Sequence, residues 1–72
     1  MPPTKDQTML RVNSKALLLA MADKEVEPKE LAANAGVSPN VVYRARRGCY
    51  MKPKYIGKIA KALDMNVEDI TE

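Results

Sequence analysis

Between Pro39 and Gly48 the sequence PNVVYRARRG combines an asparagine, a tyrosine and three arginines, all of which can hydrogen-bond to nucleic acid. The guanidinium group of Arg44 presents forked N–H donors that match O6 and N7 of guanine. The amide group of Asn40 matches N6 and N7 of adenine. Tyr43 can contact a thymine methyl group or a phosphate, although packing on the protein surface is an equally good interpretation. These residue types predict contacts with the bases of double-stranded DNA.

A second set of side chains can bind phosphate, which requires only a suitably placed N–H or O–H donor. The free backbone N–H groups at a helix start can add to this set, whose side-chain members are Ser38, Arg46, Arg47, Lys52 and Lys54.

Charge is unevenly distributed along the chain. Residues 31–63 hold seven basic and no acidic side chains, residues 1–30 hold five of each, and residues 64–72 hold four acidic and no basic ones. The positive charge is therefore concentrated where the candidate DNA contacts lie, which favours a phosphate-facing surface over scattered, solvated charges.

Two short helices are predicted to position these groups. Gly36 supplies the positive φ that ends a helix, and Ser38 followed by Pro39 is typical of an N-cap and a first helical position. Gly48 then ends the second helix. The apolar residues at helical spacing are Leu31, Ala32 and Ala35 in the first helix and Val41, Val42 and Ala45 in the second. This arrangement predicts a helix-turn-helix.

The flanking segments are predicted to be helical as well. Asn13 or Ser14 caps a long first helix that continues to about Lys24, and Glu27 and Pro28 begin the second helix. The apolar face of the first helix is expected to consist chiefly of Leu17, Leu18 and Met21.

A fourth helix is expected from about Lys54 to Leu63, and Asn66 is expected to cap a short closing turn from Val67 to Ile70. The buried stripe of the fourth helix is expected to contain Ile56, Ile59, Ala60 and Leu63. No strand pattern is evident, so the sequence predicts an all-α fold.

Residues 1–12 are predicted to form a mobile N-terminal segment, and residues 13–72 a single domain. The stretch from Met9 to Val12 is too short to assign and can form a partly ordered lead-in, an extra turn or a strap. Alternatively, Lys5, Arg11 and Lys15 form a basic arm that touches the DNA backbone.

Composition argues against an enzyme. The chain has no histidine, a single cysteine at Cys49 and three isolated glycines, so it offers no zinc site, no Cys/His nucleophile and no phosphate-cradling loop. We expect no metal, cofactor or small-molecule ligand. Cys49 is most simply a loop residue, like Tyr50; the alternative is a redox-sensitive thiol near the cationic Arg46.

Localisation follows from the same composition. A lone cysteine fits a reducing compartment, no apolar run is long enough to cross a membrane, and MPPTKDQT lacks the apolar core of a signal peptide. We therefore expect a cytoplasmic protein.

The chain also resembles the phage repressor/Cro type of helix-turn-helix domain from about Asn13 to Ile70. The matching residues are Leu31-Ala32, Gly36-Val37-Ser38, Val42, Gly48, Ile59-Ala60-Lys61-Ala62-Leu63 and Val67-Glu68-Asp69-Ile70. The resemblance implies a compact five-helix, lambda-repressor-like domain whose third helix enters the major groove. It also implies a transcriptional regulator, expected to be a phage or mobile-element repressor that acts by occupying its operator.

The resemblance assigns roles to individual positions. Base-facing positions are Pro39, Asn40, Val41, Tyr43 and Arg44, and dimer contacts are Lys52, Pro53, Tyr55, Val67 and Ile70. Pro39 departs from the usual polar residue and cannot donate a hydrogen bond. A homodimer is expected on DNA, with half-sites roughly 34 Å apart. Because no separate dimerisation domain is evident, the free chain can be monomeric in solution.

Two further positions depart from the family pattern. Arg46 stands where many members have a glutamate, and Met21 stands where its arginine partner would be, so we expect no stranded buried charge. Glu27 lies where the family approaches the DNA backbone, and its carboxylate would weaken binding unless it turns away. The alternative function is an antitoxin-like or adaptor module that binds protein, which the acid-free segment argues against.

Overall fold

A computed structural model describes residues 9–72, in which four α-helices pack around one core. The elements in chain order are β1 (Leu10–Arg11), α1 (Ser14–Lys24), α2 (Pro28–Ala35), α3 (Pro39–Arg46), β2 (Tyr50–Met51), α4 (Pro53–Ala62) and a 3-10 helix (Val67–Asp69). The four predicted α-helices are confirmed. The five-helix count is not, because the closing segment is a three-residue 3-10 turn.

Local chemistry explains where the helices begin. The Asn13 side chain caps α1, its Oδ1 accepting a hydrogen bond of 3.0 Å from the backbone N–H of Ala16. Prolines occupy the first turns of α2, α3 and α4, where a missing N–H costs nothing and the fixed φ already suits a helix. At the start of α2, Oε1 of Glu30 accepts a 3.0 Å hydrogen bond from the backbone N–H of Glu27.

The turn between α2 and α3 has the predicted left-handed residue. Gly36 has a φ of 73°, and its N–H donates to the carbonyl of Ala33 at 3.3 Å. The next N–H, from Val37, donates to the carbonyl of Ala32 at 3.0 Å, and its side chain packs against the core. These bonds satisfy carbonyls at the end of α2 and turn the chain into α3.

Gly36→Val is expected to destabilise the fold by about 1 to 2 kcal/mol, because a side chain in the left-handed region is strained. An added Cβ would meet nothing within 4 Å, so no clash of the Cβ adds to this strain. Gly57 is the matched control: it lies inside α4, also with open space around an added Cβ, and Gly57→Ala should stabilise by about 0.5 to 1 kcal/mol. Urea unfolding of both variants measures the change in the free energy of unfolding. If Gly36→Val leaves this free energy unchanged, Gly36 is not the left-handed residue of the turn.

The core lies between the helices, and the buried side chains among residues 9–72 are all apolar. The predicted stripe of α4 is confirmed, since Ile56, Ile59, Ala60 and Leu63 are all buried. The prediction for Leu18 was wrong: this side chain is 45% exposed, and Ala20 is buried instead. The reason is the helical period, because positions 17, 20 and 21 share one face of α1 and position 18 lies about 100° away.

An antiparallel ribbon joins the start of the domain to the segment after α3, so the expectation of no strand was wrong. Leu10 pairs with Met51, and Arg11 pairs with Tyr50. Arg11 also donates from its Nε to the carbonyl of Gly48 at 3.3 Å, and its guanidinium lies 6.0 Å from the Tyr50 ring centroid. This pairing corresponds to the strap among the alternatives considered for this stretch.

The chain terminus closes over the other side of β1. Val12 bridges to Thr71, and the N–H of Glu72 donates to the carbonyl of Arg11 at 2.9 Å. Val12 is only 1% exposed, so residues 10–12 belong to the packed domain rather than to a separate N-terminal segment. The predicted mobility of residues 1–8 and the proposed role of Lys5 lie outside the described residues.

Candidate nucleic-acid interface

Helix α3 divides its residues between the core and the surface. Val42 and Ala45 are 0% exposed, whereas Asn40, Tyr43 and Arg44 are exposed on the other side of the helix. The buried pair anchors α3 against α1, α2 and α4. A helix anchored in this way presents its polar side chains outward at a fixed angle, as a DNA-reading helix must.

The N-terminal end of α3 is open to solvent. Ser38 occupies the predicted N-cap position with extended backbone, and its hydroxyl makes no capping hydrogen bond. Ser38 and Pro39 are both exposed. Pro39 has no N–H, and the N–H of Val41 donates to the carbonyl of Ser38 at 3.0 Å, so the N–H of Asn40 is the backbone donor left in this first turn. The hydroxyl, this N–H and the positive end of the helix dipole together suit a phosphate.

Arg44 lines a recess of about 320 Å³ together with Lys52, which belongs to the set of predicted phosphate contacts. The recess is lined by Met9, Val41, Arg44, Met51, Lys52 and Tyr55. Val41 is half-buried and packs against the core, so only part of it can face a base. The structure thus places a candidate base contact next to a candidate phosphate contact, Lys52. It also places Met9 there, which sequence reasoning did not assign to the site because this residue lies far away along the chain.

Arg46 is not simply directed to solvent. The side chain is half-buried, and its Nε is fully buried with no hydrogen-bond partner among the described residues. It lines a second recess, of about 310 Å³, with Leu18, Tyr43 and Arg47. The expectation that no charge is stranded was therefore wrong in part, because a buried N–H without an acceptor costs about 1 to 3 kcal/mol. A phosphate or carboxylate entering this recess would relieve that cost.

The start of α4 carries the remaining basic candidates. Lys52 is the N-cap residue, Lys54 lies in the first turn, and both are exposed together with Pro53. Arg47 is likewise exposed at the C-terminal end of α3. These side chains are accessible for phosphate contacts.

The predicted dimer contacts differ in accessibility. Lys52 and Pro53 are exposed, whereas Tyr55 and Val67 are half-buried and pack against the core. Ile70 is 0% exposed, so its assignment as a dimer contact was wrong. Its side chain is enclosed by its own domain and has no surface to offer a second copy.

The residues after α3 are part of the fold rather than a plain loop. Tyr50 is in β2 and remains 46% exposed, and Cys49 is a half-buried free thiol.

Glu27, whose carboxylate was expected to weaken DNA binding unless it turns away, is exposed at the start of α2.

Within residues 9–72, no helix is both long enough and apolar enough to cross a membrane.

A comparison with protein families agrees with the geometry of this interface. No curated protein and no solved structure matches the chain. The family model described as the Cro/C1-type HTH DNA-binding domain matches residues 16–72, which include α2, the turn and α3. Because this match covers most of the sequence, the chain belongs to the Cro/C1-type helix-turn-helix DNA-binding domain family.

Proposed function

We propose that this DNA-binding regulator recognises a specific double-stranded operator and represses transcription by occupying it, as a cytoplasmic protein of phage or mobile-element origin. The observation that carries the proposal is the division of α3, whose buried Val42 and Ala45 leave Asn40 and Arg44 exposed within an acid-free segment. Family membership supports DNA binding, and the exposed hydrogen-bonding groups support sequence-specific binding.

In this mechanism α3 enters the major groove and α2 crosses the phosphate backbone. The base contacts are Pro39, Asn40, Val41, Tyr43 and Arg44, and the phosphate contacts are Ser38, Arg46, Arg47, Lys52 and Lys54. Two copies bind a roughly palindromic site and meet through Lys52, Pro53, Tyr55 and Val67. RNA polymerase is then excluded by occupancy alone.

Selection of bound sites from random DNA tests this function. We expect enrichment of an inverted repeat whose half-sites are about one helical turn apart, and a gel shift that weakens steeply with salt. Enrichment of a site without two-fold symmetry would contradict binding by a dimer. Failure to retain any DNA at low salt would favour the protein-binding module instead.

Lys52→Ala and Lys54→Ala are expected to weaken binding to operator and random DNA alike. Each should lower the magnitude of the salt slope by about one unit, because each removes one phosphate contact. The slope is measured by titrating labelled DNA at several salt concentrations. Lys61→Ala is the matched control, since it removes an exposed lysine from the far end of the same helix. If the salt slope is unchanged in both test variants, or changes equally in the control, other residues must contact the phosphates.

A further inference from the structure

A groove of about 480 Å³ lies between α1 and the segment that follows α4. Its apolar lining consists of Ala16, Leu19, Ala20, Leu63 and Met65. None of these residues belongs to the candidate DNA-contacting set, so the groove is a separate feature of the surface.

Leu19 is the exposed member of this apolar lining, whereas Ala20 and Leu63 are buried. Leu19 is 58% exposed, although the inward face of α1 already fills its share of the core with Leu17 and Met21. A helix with large apolar side chains on two faces usually buries both of them. Leu19 is therefore an apolar side chain that its own domain leaves available at the edge of the groove.

The polar lining makes the groove negative. It contains three carboxylates, those of Asp23, Asp64 and Asp69, against a single ammonium group, that of Lys24. Both α1 and α4 end here: Lys24 is the last residue of α1, and Leu63 caps α4. Carbonyls in the last turns of both helices accept backbone hydrogen bonds, so the negative charge of the groove comes from its carboxylates. Such a surface repels DNA phosphates and attracts cations.

We propose that this groove docks a cationic amphipathic helix of another protein. Apolar side chains of that helix would pack on Leu19 and Met65, whose flexible thioether chain adapts to different shapes, and its lysines or arginines would face the carboxylates. Because the groove and the DNA-contacting set have no residue in common, the protein can hold this partner while bound to DNA.

A synthetic peptide provides the direct test. The probe is a helical peptide of leucines at positions i, i+3, i+4 and i+7 with lysines at the others, titrated into the isotope-labelled full chain and followed by NMR. We expect chemical-shift changes at residues 16–24 and 63–69, and no binding by the same peptide with glutamate in place of lysine.

Two variants and one control locate the contact. Leu19→Ser should weaken peptide binding about tenfold, since it removes the main apolar anchor. Asp23→Asn combined with Asp64→Asn should weaken it about threefold to tenfold and reduce its salt dependence. Asn is the suitable replacement at position 64 because Asp64 has a φ of 59°, which Asn tolerates. Leu18→Ser is the matched control: it removes an exposed leucine of α1 that lies outside the groove, and it should change affinity less than twofold.

Several outcomes would overturn the proposal. These are equal binding of the glutamate peptide, shift changes confined to other residues, or an equal loss from Leu18→Ser and Leu19→Ser. Sedimentation that shows Leu19-dependent self-association without peptide would assign the groove to a second copy of this chain. Leu19→Ser should bind random DNA like the unaltered protein, so this test is independent of the proposed DNA-binding function.

Discussion

Arg44→Ala is expected to weaken binding to the selected operator by about 1 to 3 kcal/mol, or roughly one to two decades in affinity. Arg44 lies two residues after Val42, which is 0% exposed, and so projects about 200° away from the core. The forked guanidinium can pair with both acceptors of a guanine, and alanine leaves them without a protein partner. The loss should be accompanied by relaxed preference at one base pair, measured by titrating operator variants. The melting temperature should barely change, because the side chain is exposed.

Arg44→Lys and Arg47→Ala are the controls for this prediction. Lysine restores the charge without the bidentate geometry, so affinity should recover more than base preference does. Arg47→Ala removes an exposed arginine at the end of the same helix and should weaken operator and random DNA equally, as expected for a phosphate contact. Equal losses from Arg44→Ala on the two DNAs would reassign Arg44 to a phosphate. Unchanged affinity for both DNAs would contradict the insertion of α3 into the major groove.

Leu17→Ala is expected to destabilise the domain by about 2 to 5 kcal/mol, the usual range for a leucine removed from a core. Leu17 is 0% exposed, and the domain is small enough that its total stability is of similar size. The variant should therefore be largely unfolded at growth temperature, which circular dichroism and urea titration would show.

Leu18→Ala is the matched control, since it makes the same chemical change at the next residue of the same helix. Leu18 is 45% exposed, so its loss should cost no more than about 1 kcal/mol. Equal destabilisation by the two variants would contradict the orientation of α1 and restore the face expected from sequence, which contained both leucines.

Helix ends were predictable because their causes are local. The Asn13 cap, the prolines that begin α2 and α3, and the left-handed Gly36 each act on residues no more than four positions away. The exposed set on α3 was predictable for a similar reason: once the helix is assigned, burial of Val42 determines which residues face outward. Composition also indicated the partner, since an acid-free segment surrounds those residues.

The error at Leu18 was a local one of helical period, whereas three other errors arose where a residue depends on distant parts of the chain. β1 contains only two residues and has no pattern of its own, and it is defined by pairing with Tyr50–Met51. The family resemblance assigned Ile70 to a dimer contact, but its side chain enters the common core. Arg46 looked solvated because its usual partner is missing, but its Nε is covered.

By itself, the sequence determined the helices, the turn between α2 and α3, and the outward polar set of α3, because capping, backbone preference and helical periodicity operate within a few residues. Only the tertiary structure decided which apolar side chains remained exposed to solvent. Leu17 and Leu19 are chemically identical, yet one is 0% and the other 58% exposed. It also placed Arg44 beside Lys52 and gathered Asp23 and Asp64 around an apolar groove. Such assemblies depend on how separate helices pack, and that packing is the sum of contacts between residues far apart in the chain.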